Sequence, residues 1–580
     1  MTTRTPRFHS VLARRRFIQA ATAAGVFTLL PWPRCSFAAP SRAPVLSGTE
    51  FQLEIGPVPM NVTGRAITAT GINGQIPAPI LRWREGDTVT LAVTNRLSEP
   101  SSIHWHGVRV PSPMDGVPGL SFAGIPPDGT FVYRFPVHQS GTYWYHSHSD
   151  SQEQTGVYGP LVIEPKAGYP QPFDRDYVVF LSDWSDTSPE TIVSNLKFQS
   201  DYYNSRSRTA GTFFEDVAKK GLAATVADRL EWGRMRMSPT DILDVSGATY
   251  TYLINGYPPG ANWTALFRPG ERVRLRFING SSMSIFDVRV DGLPMTVVQA
   301  DGNDVMPVTV DEFRISVAET YDVTVQPKAD RAYTIFVQVE DRTGYARGTL
   351  APRPGMAAAI PPMDPRPLRT MTDMGMGSMD HGSMPGMQMN HGSMPGMSMD
   401  HGSMRATEQN PEAKKLQGTV GVDNVAEMPT ERLNRPGEGI PSGRRALTYA
   451  DLRATRPGSD PRPPSRDITL HLTGNMQRFI WGFDGKKFSE ADPIVLQRGE
   501  RVRFVLINDS MMEHPIHLHG LWSELENGHD EYRPYKHTIN VKPGEKLSYL
   551  VTADEPGRWA YHCHLLYHME TGMFREVRVP

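Results

Sequence analysis

The sequence predicts an all-β chain of three related domains, and three observations predict it. Glycine and proline are abundant, 51 and 50 of 580 residues, which favours short strands and turns over long helices. One strand pattern then occurs three times: Gly86-Asp87-Thr88-Val89-Thr90-Leu91-Ala92-Val93-Thr94-Asn95, Gly270-Glu271-Arg272-Val273-Arg274-Leu275-Arg276-Phe277-Ile278-Asn279 and Gly499-Glu500-Arg501-Val502-Arg503-Phe504-Val505-Leu506-Ile507-Asn508. Each copy follows a glycine and alternates apolar with polar or charged residues at period two, the pattern of a half-buried strand. Finally, Gly141-Thr142-Tyr143-Trp144-Tyr145-His146-Ser147-His148 matches Gly557-Arg558-Trp559-Ala560-Tyr561-His562-Cys563-His564. These repeats place domains at 45–168, 169–355 and 440–580, with a flexible Met-rich linker at 356–439.

Residues 1–38 precede the first domain. Arg14-Arg15-Arg16-Phe17-Ile18 opens an apolar stretch from Ala20 to Trp32, too short for a membrane span, and Ser36-Phe37-Ala38 offers small residues for cleavage. This reads as a twin-arginine export signal, so the mature chain is expected to begin near Ala39 in the periplasm. With 60 basic and 62 acidic residues the formal charge is −2, which points neither to nucleic acid nor to electrostatic membrane attachment. No later stretch is apolar enough to span a bilayer.

The first and third copies of the strand carry histidines downstream. In each, 18 residues separate the glycine from the first histidine of His104-Trp105-His106 or His517-Leu518-His519. The middle copy has Val288 and Val290 there, so that domain is read as lacking ligands. A His-x-His on a strand puts two imidazoles on one face, roughly 6.5–7 Å apart along the backbone. One such pair alone is a weak signal, since core-satisfied histidines are common. Four pairs at matching positions in two domains make eight imidazoles, a number suited to a three-metal cluster between the domains.

Cys563 adds a second kind of site. Cys35 falls in the export segment, so Cys563 is the one cysteine of the mature chain, with no partner for an internal disulfide. His568 follows it by five residues and Met573 by ten, and His514 lies upstream. A thiolate, two imidazoles and a weak thioether form the ligand set of a blue-copper electron-transfer site. Strand alternation then turns His562 and His564 away from Cys563, so that one strand serves two metal sites.

With these motifs the chain resembles the three-domain multicopper oxidases, and in detail the periplasmic copper-resistance oxidases of the CopA/PcoA family, over essentially its whole mature length. The resemblance implies three cupredoxin-like Greek-key β-sandwich domains and four copper ions. It implies a type 1 site of His514, Cys563, His568 and Met573, and a type 2 site of His104 and His517. It also implies a type 3 pair held by His106, His146 and His564 on one side and by His148, His519 and His562 on the other. Electrons would pass one at a time from substrate through Cys563 to the cluster, where four reduce dioxygen to two waters. Asp115 matches the family's acidic position for proton relay. Related cuprous oxidases carry a glutamate directly after the last type 1 histidine, whereas here Met569 stands there and Glu570 follows, which leaves a second proton route in question.

The substrate reading turns on methionine. Eleven methionines fall within the 34 residues from Met371 to Met404, in a repeat of ten residues that also carries His381, His391 and His401. Thioethers favour Cu(I), so Met379, Met384, Met387, Met389, Met394, Met397, Met399 and Met404 with those histidines are candidate ligands for additional copper. A plain linker of biased composition is the alternative. Beside His514, Asp509 and Met512 are candidates for the substrate Cu(I) docking point, with strand-end packing as the competing reading. The segment 189–237 departs from the strand pattern and reads as a partly helical insertion, in which Met235 and Met237 could touch copper. The leading function is thus a Cu(I) oxidase in copper resistance, with phenols as a second substrate class and a periplasmic copper carrier as partner. A laccase-like oxidase of phenols and a non-enzymatic copper store are the alternatives; the complete ligand set argues against a store.

Overall fold

The computed structural model describes residues 44–376 and 413–580. The export segment lies outside the described residues, as do the candidates Met379, His381, Met384, Met387, Met389, His391, Met394, Met397, Met399, His401 and Met404. The described residues form six sheets: a four- and a five-stranded sheet in the first third, then a six- and a five-stranded sheet in each of the other two.

The thrice-repeated segment is the hub of each domain. Thr88–Asn95 pairs in parallel with Glu50–Met60 and antiparallel with Thr130–Pro136. Val273–Asn279 does the same between Arg175–Trp184 and Thr320–Val325, and Arg501–Asn508 between Asp467–Asn475 and Lys546–Thr552. The alternation is realised in the first copy, where Val89, Leu91 and Val93 are fully buried and the residues between them are not. Each such side chain contributes about 1.5–3 kcal/mol relative to exposure. The repeated glycines have a reason too: Gly86, Gly270 and Gly499 all have positive φ, at 93°, 92° and 75°, where a side chain would strain the turn into the strand.

The His-x-His segments lie in the five-stranded sheets. His104–His106 is an edge strand paired with Gly141–His146, and His514–Leu518 lies between Gly557–Cys563 and the edge strand Thr538–Val541. Phe286–Val290 occupies the equivalent place in the middle domain, paired with Tyr333–Val339, and there Val288 and Val290 are buried as core. The first domain has its own apolar core around Trp83, Trp105, Tyr133 and Phe135, while a second, continuous one runs through the second and third domains and takes in Trp144 and Tyr158 of the first.

Two regions depart from strand. Residues 189–237 include the helices Pro189–Phe198, Ala210–Lys220 and Leu222–Arg234. Ser188 and Thr209 cap the first two by accepting N–H groups of their first turns, and Gly221 turns the chain between the last two. The described flanks of the expected flexible linker are packed instead. Asp364 accepts Arg444 at 2.6 and 2.7 Å, Arg369 is buried against Glu340 and Glu438, and Met374 is 1% exposed. Composition alone missed this, because the flanks carry charged residues whose partners lie far along the chain.

Candidate metal centre

The residues read as metal ligands converge into two groups. In the first, Cys563 Sγ lies 3.5 Å from His514 Nδ1 and 3.8 Å from His568 Nδ1, and the two nitrogens are 3.2 Å apart. All three residues are fully buried. Met573 is fully buried and tied to the group by its backbone, accepting the Cys563 N–H at 3.1 Å and donating to the His568 carbonyl at 2.9 Å. The outward nitrogens are held as well. His514 Nε2 meets Ser510 Oγ at 2.6 Å, His568 Nε2 meets Asp244 Oδ2 at 2.8 Å, and Trp481 stacks on the His568 ring at 3.8 Å. Burial pushes the Cys563 thiol well above its usual range, so a cation at the converging atoms is what would favour the thiolate.

The second group contains the eight histidines of the four His-x-His segments. As strand alternation predicts, His562 and His564 turn from Cys563 into this group. His562 Nε2 lies 3.1 Å from His519 Nε2 and 3.4 Å from His148 Nε2, and the His564 ring packs against those of His106 and His146. Across the domains, His104 Nε2 and His517 Nε2 are 3.4 Å apart. Seven of the eight are buried, with His148 half-buried.

A neutral imidazole has one N–H, and in this group most of those protons point outward. His519 Nδ1 donates to Asp115 Oδ2, His562 Nδ1 to the Cys563 carbonyl, His104 Nδ1 to the Asp115 carbonyl and His517 Nδ1 to the His537 carbonyl. The facing Nε2 atoms therefore present lone pairs to one another at 3.1–3.4 Å, an arrangement that a bound cation stabilises. His106 Nδ1, His146 Nε2 and His564 Nε2 have no hydrogen-bond partner among the described residues. Burial, aided by the neighbouring histidines, also keeps the rings in the neutral ligating form, holding His106, His146, His517, His519 and His564 well below the usual histidine range. The donor sets of both groups, buried nitrogens and one sulfur, fit copper.

Asp115 is fully buried behind the cluster, its Oδ2 2.9 Å from His519 Nδ1 and its Oδ1 3.3 Å from His104 Nδ1. A second buried carboxylate was not anticipated. Glu153 Oε2 lies 2.8 Å from His146 Nδ1, and Oε1, which has no hydrogen-bond partner, lies 3.9 Å from His564 Nδ1. The internal repeat held the signal: Glu153 stands five residues after His148, as Met569 stands five after His564. The glutamate missing from the third domain is thus matched by one at the equivalent place in the first. A cavity of about 900 Å³ opens onto His148 and is lined by Glu99, Asp150, Glu190 and Glu570 among others.

Asp509 and Met512 are both 1% exposed. The Asp509 carboxylate accepts the Ala426 N–H at 2.9 Å and pairs with His471 Nδ1 at 2.7 Å, and Met512 packs in the core. Met512 is thus a core side chain, and the linker flank meets Asp509 through Ala426. The carboxylate that does touch an imidazole of the Cys563 group is Asp244, from the middle domain, which no local spacing could reveal. Met235 and Met237 are half-buried against the same core.

A cysteine-bearing donor group joined by one strand to a histidine cluster between two β domains is an arrangement for taking up electrons at one place and spending them at another. Multicopper oxidase family models match residues 54–168, 175–355 and 461–580, and the chain belongs to that family. It is 58% identical to Copper resistance protein A of Pseudomonas syringae pv. tomato, over 98% of this chain and 99% of that protein. It is 55% identical to Copper resistance protein A of Escherichia coli with the same coverage. Among solved structures the fold resembles Fet3p, described as a multicopper oxidase that functions in iron import, with TM-score 0.64 and 20% identity over 92% of this chain and 90% of that one. A multi-copper oxidase from Pseudomonas thermotolerans gives TM-score 0.57 and 21% identity over 93% and 100%.

Proposed function

We propose that this protein oxidises Cu(I) in the periplasm, with dioxygen as the electron acceptor, as part of copper resistance. The observation that carries the reading is the strand Gly557–Cys563, whose cysteine belongs to one donor group while the histidines on either side of it belong to the other. One copper would be held by His514, Cys563, His568 and Met573, and one by His104 and His517. A pair would be held by His106, His146 and His564 with His148, His519 and His562. Copper in these positions supplies reversible one-electron transfer, four electrons in all for each dioxygen reduced to two waters.

The chain's own residues do the rest. The peptide links from Cys563 to His562 and His564 are the short covalent path between the two groups. The sandwich cores keep bulk water from both. Asp115 and Glu153 fix the outward nitrogens of His519 and His146, and their carboxylates can hold protons at the edge of the cluster. The acidic cavity beside His148 offers a route for protons and dioxygen from solvent. The Met-rich tract gathers Cu(I), and the twin-arginine segment directs export. The 55–58% identity to proteins named for copper resistance supports the role in copper resistance.

The test compares dioxygen uptake by the copper-loaded full chain with that of a chain lacking 377–404, using Cu(I) or a phenol as donor. Residues 371–376 are retained because Met374 is buried and Gly375 accepts the Met428 N–H. Selective loss of Cu(I) turnover is the expected result. Equal turnover of both donors by the two chains would move the reading to organic substrates.

A further inference from the structure

One histidine of the cluster is turned the other way. His106 has its Nδ1 buried without a partner, while its Nε2 points outward, 3.1 Å from His537 Nδ1 and 3.1 Å from Thr538 Oγ1. His537 is a ninth histidine at the cluster, on no His-x-His motif, and the sequence reading passed over it. Its position is set from two sides. The ring lies over Gly107, where a Cβ would come within 2.3 Å of His537 Cδ2, so only glycine leaves room for it. The backbone is held by the middle domain, since Asp301 Oδ2 accepts the N–H of His537 at 3.1 Å and of Thr538 at 3.2 Å. Asp301 is in turn locked by Lys536 Nζ at 3.0 Å, which also pairs with Glu319 at 3.0 Å, and all of these are buried. The His537 carbonyl accepts from His517 Nδ1, so this one residue touches cluster histidines of both flanking domains.

We propose that His537 and Thr538, held by Asp301 of the ligand-free middle domain, are positioning residues that fix the tautomer of His106. Thr538 Oγ1, and His537 Nδ1 when the His537 proton is on Nε2, which has no hydrogen-bond partner among the described residues, accept the His106 Nε2–H and leave its Nδ1 lone pair facing the cluster. The opposite tautomer would put a proton on Nδ1, which has no acceptor among the described residues and where a ligand atom is needed. This rests on the reading of the eight histidines as copper ligands. Outer hydrogen-bond partners of ligating histidines typically govern metal affinity about 10–100-fold.

The test replaces both acceptors, with His537→Ala and Thr538→Val together, and separately makes His537→Asn, whose amide oxygen can stand near the position of Nδ1. Each protein is loaded with copper and read for copper-to-protein ratio, the electron-paramagnetic signal of cluster copper, and the blue absorption of the Cys563 site. The double variant is expected to bind cluster copper about 10–100-fold more weakly with the blue absorption retained, and His537→Asn is expected to restore the cluster. Wild-type cluster signals in the double variant would overturn the proposal. So would loss of blue and cluster copper together, which marks a general folding defect, or failure of asparagine to rescue. Absence of cluster copper in the loaded wild-type protein would instead overturn the ligand reading beneath it.

Discussion

Replacing Glu153 with glutamine keeps the shape of the side chain and removes its ionisable carboxyl group, and the structure says where the loss should fall. His146 Nδ1 has two acceptors, Glu153 Oε2 at 2.8 Å and the Ser147 carbonyl at 2.9 Å, so the ring keeps one anchor in the variant. A hydrogen bond to a charged group is worth about 1.5–3 kcal/mol, and 1.4 kcal/mol is a factor of about ten. With the carbonyl remaining, the low end applies: copper affinity at the cluster should fall about tenfold. Turnover should fall further, about 100-fold, because glutamine cannot hold or release a proton beside His146 and His564. The Cys563 group makes no hydrogen bond to Glu153, so the blue absorption should be unchanged. Dioxygen uptake under saturating Cu(I), measured with the copper-to-protein ratio of the same sample, decides the matter. Unaltered turnover in a fully loaded variant would refute the assignment of Glu153 to the cluster.

Three further outcomes follow from the same geometry. Cys563→Ser should abolish the blue absorption and reduce turnover to background while cluster copper persists, as metal analysis with paramagnetic resonance will report. Asp244→Asn removes the anionic acceptor of His568 Nε2, and is expected to weaken copper at the Cys563 group about tenfold without altering the cluster signals. For stability, burial works against the Asp176 carboxylate, but the Arg276 and Arg82 guanidinium groups outweigh it and hold it below the usual carboxylate range. A depressed folded-state value means stability that is present above the unfolded value, near 3.9, and lost as pH falls through the folded one. Asp176→Asn should therefore cost about 3 kcal/mol at neutral pH, the low end for a broken buried pair because Arg276 keeps Asp322. That difference should shrink in acid, and a denaturant-measured gap that stays constant down to the acid transition would contradict it.

What was legible in the sequence was whatever is local. The glycine before each repeated strand, the period-two alternation and the His-x-His spacing all act over a few residues, and the three repeated strands and the histidines that converge came out of them. Cys563 was legible for the same reason, since its neighbours and His568 and Met573 sit within ten residues. The carboxylates were not. Asp244 reaches His568 across 324 residues and Asp301 reaches His537 across 236, and nothing near either aspartate announces the contact. Asp509 and Met512 were placed by nearness to His514 in sequence, and spacing gave no sign that both are buried, Asp509 against Ala426 and His471.

The middle domain shows why the distinction matters. Its strand Phe286–Val290 has valines where its counterparts have histidines, so by ligand spacing it has no part in either donor group. Yet Asp244 sets the outer face of His568, and Asp301 sets the segment that meets His106 and His517. A ligand histidine needs its second nitrogen satisfied, and in the flanking domains the strands that carry the ligands leave those nitrogens pointing toward whatever packs against them. A domain freed of holding metal can place carboxylates there, and the core it shares with the third domain keeps them in register. Absence of ligands in the middle repeat therefore leaves its buried acids a part in both donor groups, and substitutions at Asp244 and Asp301 should damage the two groups separately.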